Sequence, residues 1–81
     1  MSQKQKLLAA IKANPRGVRF DDACKVALWL NFDSAAASGS HHAFSRTGEP
    51  VGLNFQNRGG LIKPYQARQL IEMIDKYGEE V

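Results

Sequence analysis

The 81-residue chain has one cysteine, two histidines, three prolines and one tryptophan. A lone cysteine, Cys24, closes no internal disulfide and cannot hold a zinc ion by itself. No covalent staple or structural metal is therefore expected, and the core has to stand on packing. Uncharged apolar runs are only a few residues long, which leaves no transmembrane span. The basic start, residues 1–14, contains an apolar run at 7–11. That run is too short for a signal-peptide core and Lys12 ends it, so a cytoplasmic address is expected. There is no Ser/His/Asp series, no phosphate loop, no HExxH and no paired-Cys pattern.

What is present is ordinary for one small globular domain, with 43% hydrophobic and 23% charged residues. A chain of this size buries only roughly 60–65% of the surface its unfolded form exposes, so a second domain or a deep multi-step active site is not expected. The net charge is +3, and its layout says more than its sum. Residues 1–38 carry six basic and three acidic side chains, and residues 39–70 carry Arg46, Arg58, Lys63 and Arg68 against Glu49 alone. Residues 71–81 reverse the sign, with Lys76 against Glu72, Asp75, Glu79 and Glu80. A positive field of this kind favours polyanions; the plain alternative is a solvated surface.

Residues 2–13 read as a helix, with Leu7, Leu8 and Ile11 at helical spacing. Asn14-Pro15-Arg16-Gly17 breaks it. Residues 20–30 read as a second helix, with Asp21 and Asp22 in the first turn where the helix dipole suits carboxylates. Its expected apolar stripe is Phe20, Cys24, Ala27 and Leu28; Trp29, with Leu30, closes the core. Cys24 reads as a small core residue. From residue 32 the long period is lost. Segments 32–37, 41–47 and 51–57 are separated by Ser38-Gly39-Ser40 and Gly48-Glu49-Pro50, and Val51, Leu53 and Phe55 alternate with polar residues as in a half-buried strand. Loops this short make an antiparallel meander. Lys63-Pro64 opens the clearest helix, since proline suits a first helical position. Its stripe is Ala67, Leu70, Ile71 and Ile74, extended by Tyr77, and Gly78 is the expected C′ stop. The expected fold is α+β, α-α-β-β-β-α, with a three-stranded antiparallel sheet, helices on one face and the other face open, of the double-stranded-RNA-binding-domain type. It spans residues 1–81 as a single domain, with an N-terminal helical extension at 1–17 and a core at 18–78.

His41-His42 is the only histidine pair. Neighbouring strand residues point to opposite faces, so both cannot bind one metal, and one faces the helices while the other faces the open sheet. If Ala43 and Ser45 point inward with His41, then His42, Phe44 and Arg46 share the open face. If Phe44 is core, the assignment reverses. An open-face trio suits RNA: the ring stacks on a base, the arginine grips a phosphate, and the imidazole takes a proton from a 2′-hydroxyl. The alternative is that both histidines cap strand ends by hydrogen bonding. Arg58-Gly59-Gly60 with Lys63 at a helix start has the makings of a phosphate cradle, and Arg68 extends the basic surface. For both, an ordinary loop or a solvated face is the alternative.

Gly39-Ser40-His41-His42-Ala43-Phe44 resembles the Gly-Ser-His-His-x-Phe signature of the HicA (YcfA-like) toxin family. Lys63-Pro64 followed by Arg68, Leu70 and Ile71 resembles its terminal helix. The chain is similar in particular to a longer subgroup, through Asn14-Pro15-Arg16, Arg19-Phe20-Asp21 and Pro64-Tyr65-Gln66-Ala67-Arg68-Gln69-Leu70. It departs from the family in the run Ala35-Ala36-Ala37, where relatives often carry charge, and in lacking the His-Pro-rich loop of short members within residues 54–63. The resemblance implies a double-stranded-RNA-binding-like fold, metal-independent cleavage of messenger RNA and neutralisation by a HicB-type antitoxin. No metal, small-molecule cofactor or membrane partner is implied. It makes His42 the catalytic histidine and so places it on the open face, with Gly39 and Ser40 allowing a tight approach to it. His41, Arg46, Arg58, Lys63 and Arg68 complete the expected RNA-binding set with Gly39 and Ser40. The competing expectation is a module of the same fold that binds RNA or a protein without cleaving.

Overall fold

The structure, a computed structural model, describes residues 2–81. Gln3–Ala13 forms α1, capped by Ser2, whose hydroxyl accepts from the Gln5 N–H at 3.1 Å and so satisfies one donor a helix start leaves open. Leu8 and Ile11 are its buried residues. They belong to the same hydrophobic cluster as Leu70 and Ile74, and Lys12 adds an ion pair to Asp75 at 2.7 Å. The core expected over 18–78 therefore takes in α1 as well, and Val81 packs at its edge.

After a 3-10 turn at Pro15–Gly17, Phe20–Trp29 forms α2. Its buried face is Phe20, Ala23, Val26 and Ala27, continued by Leu30, while Leu28 is 55% exposed. The expected stripe through Cys24 and Leu28 is thus rotated. The two alanines let the helix lie close to its neighbours between the larger Val26 and Leu30, and Cys24 stays only partly buried. The helix ends in a Schellman arrangement: Asn31 N–H donates to Leu28 C=O and Phe32 N–H to Ala27 C=O, both at 3.0 Å. Asn31 takes the left-handed φ of 65° that this ending requires, and Phe32 drops into the core, 1% exposed.

The strands are β1 (Asp33–Ser38), β2 (His41–Ser45) and β3 (Leu53–Gln56), antiparallel in the order β1-β2-β3. Directly paired residues point to one side. One side carries Ala37, His42 and Phe55 in one row and Ser34, Phe44 and Leu53 in another. Phe44, Leu53 and Phe55 are buried there, and the Phe44 and Phe55 rings meet at 5.7 Å between centroids. The other side carries Ser38, His41 and Gln56, then Ala36, Ala43 and Asn54. This is an open face of small and polar side chains. Every residue of β1 is exposed, and the strand bulges between Ser34 and Ala36.

Pro64–Tyr77 forms α3, burying Gln66, Ala67, Leu70, Met73 and Ile74. Ile71, expected in the stripe, packs only at its margin. Gly78 is not the left-handed stop expected of it: its φ is −61° and the chain runs on as a 3-10 turn over Gly78–Glu80. Packing is the reason for glycine here. A Cβ at this position would stand 3.3 Å from Ile74 Cγ2 and 3.7 Å from Leu8 Cδ1. Among the described residues no helix is long and apolar enough to cross a membrane.

Removing the Phe44 ring leaves a cavity against Phe55, so Phe44→Ala is expected to cost about 3–5 kcal/mol. Leu28→Ala is expected to stay within about 0.5 kcal/mol. Urea unfolding monitored by circular dichroism measures both, and comparable losses for the two would show that the buried face of α2 is misassigned.

Candidate functional site

β2 leaves a two-residue turn in which Gly39 takes a φ of +58°, as a II′ hairpin asks of its first central residue. An added Cβ there meets nothing within 4 Å. The glycine serves the turn's handedness, and the space above it is open. The Ser40 carbonyl accepts from Asn57 N–H at 2.9 Å, which brings the end of β3 beside this turn.

Side-chain alternation along β2 is settled by Phe44, which is 4% exposed. His42, Phe44 and Arg46 do share one side, but it is the side the helices cover. His42 therefore sits at the rim of the covered face and not on the open face. It is half-buried and meets the Phe20 ring edge-to-face at 5.0 Å. His41 is the histidine of the open face, exposed and opposite Gln56. With Phe44 in the core, β2 offers no phenyl ring to stack on a base, and its exposed ring is the His41 imidazole.

Neither imidazole hydrogen-bonds a protein group among the described residues. No buried side-chain nitrogen or oxygen there lacks a partner, so the ring nitrogens of half-buried His42 reach solvent. Strand-end capping is not what these rings do.

Arg58-Gly59-Gly60-Leu61 closes a tight hairpin. Arg58 N–H donates to Leu61 C=O at 2.9 Å and Leu61 N–H returns to Arg58 C=O at 3.2 Å. Gly59 and Gly60 both have positive φ, 61° and 90°, the I′ pattern. Gly60 N–H is taken by Asn57 Oδ1 at 2.8 Å, so three of the turn's four N–H donors are already engaged within the protein. The Gly60 carbonyl accepts from Phe20 N–H at 2.9 Å, and Ile62 N–H donates to Val18 C=O at 3.0 Å. These bonds fix the hairpin to the start of α2, and through Phe20 to His42. Lys63 joins the same end, because Gln66 Oε1 accepts from both Lys63 N–H (3.2 Å) and Gln56 N–H (3.1 Å).

Gly39, Ser40, His41, His42, Arg58 and Lys63 thus gather at one end of the molecule, with exposed Arg68 on α3 nearby in sequence to Lys63. Arg19 joins them unexpectedly. Its backbone bridges Leu61 on the side opposite Arg58, and its side chain is exposed. Only the Arg19-Phe20-Asp21 triplet marked it in the sequence.

Arg46 leaves the set. It lies at the far end of β2, where its guanidinium donates to Leu30 C=O at 2.6 Å, pairs with Glu80 at 3.3 Å and lies 3.7 Å over the Tyr77 ring. Beside it Glu49, with its side chain fully buried, accepts from Lys76 Nζ (2.7 Å), Tyr77 OH (2.6 Å) and Val51 N–H (3.0 Å). These bonds, the Lys76 ammonium first, hold its carboxyl at about 2, below the usual 4.5. The same contacts raise the Lys76 ammonium and the Tyr77 hydroxyl. Burial raises the Cys24 thiol, which argues against a reactive thiolate.

A groove of about 510 Å³ between α1 and the end of α3, bordered by Gln5, Leu8, Lys12 and Asp75, lies away from the histidines. Among the described residues no group of three or more His, Cys, Asp or Glu could hold a metal ion. Comparison of the chain with protein-family models, curated proteins and solved structures finds no match.

Because Glu49 has a depressed pKa in the fold, its contribution to stability is complete above the ordinary carboxylate range and is lost as the pH falls from about 4.5 toward 2. Glu49→Gln is expected to melt below the wild type at neutral pH, and the two melting curves are expected to converge as the pH falls through that window. Thermal melts followed by circular dichroism check this, and a gap independent of pH would sink it.

Proposed function

We propose that the chain is a HicA-type toxin: a metal-independent endoribonuclease that cleaves messenger RNA in the cytoplasm and is held in check by a HicB-type antitoxin, with His42 as general base. The observation that carries this reading is the state of His42. It is half-buried and packed edge-on to Phe20, with ring nitrogens that reach solvent and bond to no protein group. Its nitrogens are not committed to a buried partner and so can meet a substrate. The ring is oriented by packing and left available. The sequence resemblance at Gly39-Ser40-His41-His42 and at Lys63-Pro64 supplies the family.

In this mechanism an imidazole nitrogen of His42 takes the proton of a ribose 2′-hydroxyl. The 2′-oxygen attacks the adjacent 3′ phosphorus, a pentacoordinate phosphorane forms, and the bond from phosphorus to the 5′-oxygen breaks. The products are a 2′,3′-cyclic phosphate and a 5′-hydroxyl that takes its proton from solvent. Arg58, Lys63 and Arg19 offset the charge on the phosphorane. Arg46 does not take part, since its guanidinium is spent at the other end of β2. Among the described residues no carboxylate hydrogen-bonds His42 to fix its tautomer, which would make such an enzyme slow. That absent carboxylate also favours the second reading, a module that binds RNA or a partner protein without cutting.

Wild-type protein incubated in EDTA with a defined RNA is expected to leave 2′,3′-cyclic phosphate ends. His42→Ala is expected to lose roughly 10²–10⁴-fold in cleavage rate while retaining RNA binding. Mapping product ends and measuring binding separates the readings: equal cleavage by both proteins, or none by either, leaves the binding module.

A further inference from the structure

With Phe44 buried, an RNA-binding surface has no stacking ring where the sequence placed one. Six of the seven aromatic side chains are buried or partly buried, and among the described residues only Tyr65 is exposed, at 52%. Resting on the ribonuclease reading above, the geometry points to Tyr65 as the residue on which an unpaired base of single-stranded RNA stacks.

Three features support this. The first is position. Tyr65 stands in the first turn of α3 between Lys63 and Gln66, and Gln66 Oε1 joins Lys63 N–H to Gln56 N–H, whose residue pairs with His41. The ring is therefore anchored one cross-strand pair away from the histidines. The second is rigidity. Gln66 is 3% exposed, Pro64 fixes the helix start, and Gln66 Nε2 reaches Tyr65 OH at 3.5 Å. An exposed ring on a fixed base gives contact area at low entropic cost. The third is charge. Lys63 Nζ lies 5.9 Å from the ring centroid. Arg68, three residues on and exposed, shares the helix face of Tyr65, and the first turn of α3 has no acidic residue. An aromatic ring set between cations offers a base its face and the adjoining phosphates their counter-charges. A protein partner would not require that combination.

The test uses an uncleavable 2′-O-methyl RNA, single-stranded and carrying one 2-aminopurine, titrated with wild type, Tyr65→Phe and Tyr65→Leu. Tyr65→Phe is expected to bind within about twofold of wild type and to quench the 2-aminopurine equally. Tyr65→Leu, which keeps apolar bulk without a π face, is expected to bind roughly 5- to 150-fold more weakly and to lose the quenching. Circular-dichroism melts of both variants are expected to match wild type, since the side chain is half in solvent. Wild-type affinity and quenching in Tyr65→Leu would overturn the stacking role and give this face to a protein partner. If His42-dependent cleavage of natural RNA persists in that case, the ribonuclease reading stands without it. If the wild type neither binds the probe nor cleaves natural RNA, both fall.

Discussion

A carboxylate sealed from solvent has to be answered from inside the protein, and the answer Glu49 receives organises one end of this fold. Its three donors come from two places: Val51 in its own loop, and Lys76 and Tyr77 in the last turn of α3. The β2–β3 loop is thereby tied to the end of the final helix. Tyr77 passes the tie on. Its hydroxyl serves Glu49, its face carries the Arg46 guanidinium, and its edge meets Phe32. Arg46 reaches further, to the last carbonyls of α2 at Leu30 and to Glu80 beyond α3. Three segments distant in sequence are joined chiefly through the side chains of Glu49, Tyr77 and Arg46. In a chain with one cysteine, this is the nearest thing to a staple.

The same economy explains why cations without ion pairs gather at the other end. Arg46, Lys76 and Lys12 are spent on carboxylates or carbonyls of the fold. The side chains of Arg19, Arg58, Lys63 and Arg68 are engaged in no ion pair among the described residues, and all but Lys63 are exposed. From His42 to Arg46 is four residues of strand, about 13 Å, so β2 runs from the histidine end to the fastened end. The glycine turns at Gly39 and at Gly59-Gly60 belong to the histidine end.

The order of elements was legible because each begins or ends on a local signal: Ser2 as a cap, Pro64 at a helix start, Gly39 and the Gly59-Gly60 pair at positive φ. The orientation of β2 was not. A period of two tells which residues share a side but not which side is covered, so His42, Phe44 and Arg46 could be grouped and not placed. The decision lies in the contact of Phe44 with Phe55, eleven positions on. The partners of Arg46 are hidden for a similar reason, as its charge is visible in the sequence while Leu30 and Glu80 lie 16 and 34 positions away. Gly78 read as a helix stop because its neighbour Leu8 comes from the opposite end of the chain. Asn31 carried the helix ending expected of a glycine without advertising it.

The placement of His42 at a rim also constrains how any RNA would lie. The open face offers Ser38, His41, Gln56, Ala36, Ala43 and Asn54, which supply hydrogen bonds and little bulk, with the His41 imidazole as their one ring. A strand of RNA laid flat along that face would find no lysine or arginine and no tyrosine or phenylalanine ring. Across the end of the sheet it would meet both. Arg58 and Arg19 flank Leu61, Lys63 and Arg68 follow at the start of α3, and His42 lies on β2 against the Phe20 ring. On the proposed function the substrate crosses the tip of the sheet. This favours a flexible single strand able to bend over a rim, and disfavours a stiff duplex that needs a broad flat surface.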